Sequence, residues 1–143
     1  MDPRARSLSE ADESFIQAFE ACTIPKAEWT HRAHVRMAWI YLSRFDFDLA
    51  LTRIRDGIKK YNHAVGGNPH GYHETVTQVY ARLVRHCLAH EGSRSKSFDE
   101  FAETFAFLLD RKSPPTLKHY RSETITSEEA RARFVEPDLV PLP

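Results

Sequence analysis

The stretch "EWTHRAHVRMAWIYL", residues 28–42, decides how the chain is read. Thr30 is a natural N-cap, because a β-hydroxyl accepts one of the backbone N–H groups left unpaired at a helix start. His31 and His34 therefore sit in the first turn of a helix. At about 100° per residue His31 shares a face with Val35, Ala38 and Leu42. His34 lies with Tyr41 on the same broad stripe, and Arg32 and Arg36 fall outside it. Both imidazoles point inward, where each ring nitrogen needs a partner.

Working outward, the rest of the chain repeats the helical period. Ser7 with Glu10, or Ser9 with Asp12, caps a first helix whose Phe15, Ile16, Phe19 and Cys22 form one face, and Pro25 ends it. A third helix runs from about Asp46 to Asn62, with Phe47, Leu51, Ile54, Ile58 and Tyr61 spaced by three and four. "NHAVGGNPHG" breaks it, and a fourth helix starts near Tyr72 and continues to about Glu91. Ser97 and Glu100 cap a fifth, lined by Phe98, Phe101, Phe105, Leu108 and Leu109. Short helices follow around Leu117 and in "SEEARARF". The tail "VEPDLVPLP", with its three prolines, is extended against the body. No stretch alternates with period two for long enough to build a sheet. The expected fold is all-α: a helical bundle of four longer helices plus short C-terminal helices and an extended proline-containing tail, in one domain over residues 1–143.

Composition narrows the function classes. A chain of 143 residues with 41% apolar and 28% charged residues is an ordinary folding domain rather than a disordered one. Zero formal net charge gives no field for a phosphate backbone. The short basic run of Arg111, Lys112, Lys118 and Arg121 carries no recognition motif, so nucleic acid is not an expected partner. There is no apolar leader and no run of about twenty apolar residues, so neither secretion nor a membrane is expected. Cys22 and Cys87 read as reduced thiols in a cytoplasmic protein.

The second histidine stretch is "PHGYHETVTQVYARLV". Measured from His73, the residues Thr77, Tyr80, Val84 and Cys87 share the core face, and Glu74 lies at its margin. Three converging imidazoles repel when charged and oppose lone pairs when neutral, and a divalent cation relieves both. The expected first shell is His31, His34 and His73. Glu74 is the fourth ligand or a base beside an open position, and Thr77 hydrogen-bonds a metal-bound water. Glu28 is placed to act as a ligand or to orient His31, and His70 to close the site from its loop. A metal-free polar pocket, or a structural network of histidines and tyrosines, uses the same residues differently. "HETVT" is not a zincin motif, because Thr77 stands where the second histidine belongs. His86 and His90 share a face turned away from His73 and read as surface. His63 and His119 have no assigned role. Arg131 either holds an anionic substrate or pairs with Glu136.

"EWTHRAHVRMAW", "GYHETVT" and "ARARFVEPDLVPLP" together resemble the signature stretches of a family of small bacterial helical proteins of uncharacterised function. The resemblance spans nearly the whole chain and implies no catalytic residue. More loosely, the architecture is similar to the DinB and YfiT-like bundles, which seat a divalent metal on three histidines from different helices. Here His31 and His34 share one helix, so the ligand order of those bundles is not reproduced.

The function expected from the residues is that of a metal-dependent enzyme, a small-molecule hydrolase using zinc, nickel or iron, with Glu74 taking the proton from a metal-bound water. The alternatives are a metal-dependent oxidoreductase and a non-enzymatic ligand-binding or interaction protein. In the last of these, Trp29, Trp39, Tyr41 and the phenylalanines line an apolar pocket or a homodimer surface. The glycines at 66, 67 and 71 form no phosphate loop.

Overall fold

The structure, a computed structural model, describes residues 8–67, 71–90 and 97–143. His70 lies outside the described residues. Among them the chain is all-α: α1 (Glu10–Glu20), α2 (His31–Arg44), α3 (Phe47–Ala64), α4 (Glu74–Ala89), α5 (Phe98–Thr104), α6 (Thr116–His119), α7 (Ser122–Ile125) and α8 (Glu128–Ala132), with 3-10 turns at Lys26–Glu28 and Ala106–Leu109. The expected helical architecture is present.

Side-chain oxygens start the helices as their sequences dictate. Ser9 accepts from the Asp12 amide and Asp12 answers the Ser9 amide, a reciprocal cap. Thr30 accepts from Ala33, Asp46 from Leu49 and Ser127 from Ala130. α1 ends at Glu20, five residues before Pro25, because Cys22 turns into the left-handed region at φ 60°. The fifth helix also departs from expectation. It stops at Thr104, and Phe105 at φ −115°, ψ 51° passes the chain into a 3-10 turn.

α2 is the axis of the molecule. It packs along both α3 and α4 and touches α1. Val35 and the run Met37–Tyr41 are all buried, so an expected one-sided helix is buried on most of its circumference. Two of its three arginines reach α1: Arg36 donates to Asp12 at 2.7 and 3.1 Å while lying over the Phe15 ring, and Arg44 pairs with Glu13. From the other side Phe19 enters an aromatic nest, stacked on Trp29 at 4.8 Å and packed near Tyr61 at 6.2 Å. Gly57 makes room for it, since a Cβ there would lie 2.6 Å from Phe19 Cε2.

The C-terminal third closes over α4. Thr75, fully buried, donates to the Arg133 carbonyl at 2.8 Å and accepts from the Val135 amide at 3.1 Å. Tyr120 donates to the Val135 carbonyl, and His119 donates from Nδ1 to Val140 at 2.8 Å. The tail thus lies along the body, as its prolines and apolar residues led one to expect.

A candidate cavity site edged by histidines

α4 begins at Glu74, two residues after the expected start near Tyr72. His73 is the N-cap, extended at φ −134°, ψ 107°, and its Nδ1 accepts from the Val76 amide at 3.1 Å. Its Nε2–H donates to the Ile125 carbonyl at 2.7 Å. Both nitrogens of His73 are spent on backbone, which fixes the ring between the start of α4 and α7. Burial, only partly offset by the Ile125 bond, holds its pKa below 6.5.

His31 and His34 are likewise tied by one nitrogen each. Nε2–H of His31 donates to the Leu108 carbonyl at 2.8 Å, and Nδ1–H of His34 donates to the Thr30 carbonyl at 2.7 Å. Those bonds set the tautomers, leaving Nδ1 of His31 and Nε2 of His34 as lone-pair acceptors. The rings also pack: His34 lies 4.0 Å from Trp29 by centroids, and His31 meets Tyr80 edge-on at 5.0 Å. Burial lowers both pKa values most, and the nearby Arg111 charge lowers them further, against the raising effect of the backbone bonds. Both imidazoles are therefore neutral near pH 7.

Glu74 belongs to a different cluster. Its Oε1 accepts from Arg55 Nε at 2.8 Å and from the Tyr72 hydroxyl at 2.7 Å. Oε2 accepts from Arg55 Nη2 at 2.7 Å and from Gln78 at 2.6 Å. These four bonds, led by Arg55 and opposed by burial, hold the carboxyl down at about 2. Thr77 donates to the His73 carbonyl at 2.7 Å.

These positions overturn the metal reading. Among the described residues no three His, Cys, Asp or Glu side chains are grouped so as to hold a metal ion. The expected ligand set of His31, His34, His73 and Glu74 fails because His73 spends both ring nitrogens on backbone and Glu74 is bound by Arg55, which leaves one open nitrogen on each of His31 and His34 and no third ligand. A cofactor of zinc, nickel or iron is thereby withdrawn, and with it the metal-dependent hydrolase, the metal-dependent oxidoreductase and Glu74 as a base for metal-bound water. The facing rule correctly turned the rings inward; what it could not supply was the carbonyls contributed by residues 108 and 125, far along the chain.

The inward rings edge a cavity instead. It measures about 260 Å³ and lies between α2, α3 and α4. Val35, Ala38, Ile54, Ile58 and Ala81 supply buried apolar walls, His31, His34, Thr77 and Tyr80 supply polar edges, and exposed Arg111 stands at the rim. Arg111 and Tyr80 were not expected here as functional residues. Tyr80 was legible as a core-face residue of the fourth helix, whereas nothing near Arg111 in sequence points to α2.

The other residues singled out are accounted for separately. His86 and His90 are exposed with ring centroids 4.5 Å apart, on the surface as expected. His119 is buried and anchors the tail. Arg131 reaches toward the Tyr72 carbonyl at 3.5 Å, and Glu28 is exposed. Among the described residues no helix is long and apolar enough to cross a membrane.

Fold and site together define an all-α protein with an apolar cavity rimmed by imidazoles. No protein-family model, no curated protein and no solved structure matches the chain.

Proposed function

We propose that this protein binds a small, largely apolar molecule in the cavity between α2, α3 and α4. The observation that carries the reading is the cavity itself, about 260 Å³ of space lined mainly by apolar side chains, with His31, His34, Thr77, Tyr80 and Arg111 as its polar lining. That is the composition of a small-molecule site, at a size just below the usual range for drug-sized ligands. It is also larger than the ~150 Å³ cavity that takes up benzene, which scales to a ligand of roughly ten non-hydrogen atoms.

The reading is tested by titrating the isotope-labelled full chain with hexan-1-ol and following the backbone amides. Saturable shifts confined to α2, α3 and α4 are expected, and Ala81→Leu, which puts a larger side chain into the wall, is expected to abolish them while leaving the thermal transition in place. Shifts scattered over the surface, or unaffected by Ala81→Leu, would refute it.

A second reading, self-association, is favoured by one feature. Leu117, Leu139 and Val140 are exposed together where the tail pairs with α6 through Leu139 N–H to His119 and Val140 N–H to Lys118. Sedimentation equilibrium decides it: a concentration-dependent dimer weakened by Leu139→Asp is the expected result, and a monomer at all concentrations would dispose of it.

A further inference from the structure

The polar groups at the cavity edge carry a sign. Arg111 is exposed and makes no ion pair among the described residues, whereas Arg32, Arg36, Arg44, Arg55 and Arg133 each face a carboxylate. Its neighbour Asp110 forms no ion pair with it: Oδ1 accepts from the Lys112 and Ser113 amides at 2.9 and 3.0 Å, although the Asp110 charge does reach Tyr80. No acidic side chain lines the cavity, and α3 contributes only Ile54 and Ile58 to it. Tyr80 lines the same cavity within electrostatic reach of Arg111, and its hydroxyl makes no hydrogen bond among the described residues, so it can donate.

Resting on the cavity-binding reading above, we infer that the ligand is a small monocarboxylate, its hydrocarbon between α2, α3 and α4 and its carboxylate held by the Arg111 guanidinium and the Tyr80 hydroxyl. An unpaired cation over a cavity without acids discriminates between head groups of the same size. It favours an anion, is indifferent to an alcohol and repels an ammonium. His31 and His34 add to this in one direction only. Each has a bare nitrogen as a neutral ring, so it becomes a donor to the carboxylate by taking up a proton. Affinity for a carboxylate therefore rises as the pH falls through the imidazole range, with Arg111, Tyr80, Thr77 and Asp110 as the other polar groups nearby.

The test compares hexanoate, hexan-1-ol and hexylamine by calorimetric or NMR titration of the full chain at low salt. Hexanoate is expected to bind about tenfold or more tighter than hexan-1-ol, the scale of a hydrogen bond to a charged group, and hexylamine more weakly than either. Arg111→Gln is expected to remove that advantage for hexanoate and leave hexan-1-ol unchanged, with no shift in the thermal transition because the residue is exposed. Equal binding of hexanoate and hexan-1-ol, tighter binding of hexylamine, or an Arg111→Gln protein with undiminished preference would overturn the carboxylate assignment while leaving the cavity reading intact. Failure of all three probes to bind would overturn both.

Discussion

Replacing Glu74 by Gln removes the charge from a carboxylate whose two oxygens accept four hydrogen bonds, two of them from Arg55. In the native protein the carboxyl is held at about 2 against an ordinary 4.5. At about 1.36 kcal/mol per tenfold, that displacement corresponds to an upper value of about 3.4 kcal/mol of stability at neutral pH. The side chain of Glu74 is 11% exposed but that of Arg55 is 29% exposed, so solvent screens the pair and about 2 kcal/mol is the expected loss. The sign follows from linkage. A depressed carboxyl contributes stability that is complete above 4.5 and is lost as the pH falls toward 2. Urea denaturation of wild type and Glu74→Gln at pH 7 is expected to differ by about 2 kcal/mol, and the difference is expected to shrink when the pair is compared at pH 3.5. A Glu74→Gln protein within ~0.5 kcal/mol of wild type at pH 7, or a gap that does not narrow in acid, would refute the assignment of Glu74 to this ion pair.

Gly57→Ala is expected to destabilise by about 1–3 kcal/mol in thermal or urea unfolding, because its Cβ would lie 2.6 Å from the buried Phe19 ring; that overpacking outweighs the ~1 kcal/mol that alanine gains over glycine in a helix. His73→Ala is expected to cost about 2 kcal/mol, combining a lost N-cap with a lost bond to Ile125, and His73→Asp is expected to recover roughly half by capping Val76 again. If aspartate is no better than alanine, the capping role is wrong. The three depressed imidazoles His31, His34 and His73 make the unfolded chain bind more protons than the folded one below pH 6.5, so stability is expected to rise with pH through that range and level off above it. Denaturation curves for His34→Gln, measured from pH 5 to 8, are expected to show a shallower rise than wild type.

Much of the architecture is written locally. Thr30, Ser9, Asp46 and Ser127 mark helix starts that the backbone adopts, because capping is settled within four residues of sequence. The inward direction of His31 and His34 was equally legible, since it follows from helical phase alone. Their purpose was not, because it depends on acceptors 77 residues away in the case of Leu108, and because a histidine can cap a helix as His73 does for α4. Glu74 was misread for the same reason: Arg55 lies on the preceding helix, and no spacing rule ties the two. Arg111 enters the site only through the folded arrangement.

The junction at the start of α4 has a consequence for how the molecule opens. His73 joins that point to α7, and two residues later Thr75 joins it to the segment following α8. Unwinding the first turn of α4 would therefore break both of these hydrogen-bonded attachments at once, and amides in the two regions are expected to exchange together. Val76, Thr77 and Tyr80, which face the cavity, belong to that same first stretch of helix. The last thirty or so residues thus act as a brace behind one wall of the cavity, and whatever loosens them loosens the wall.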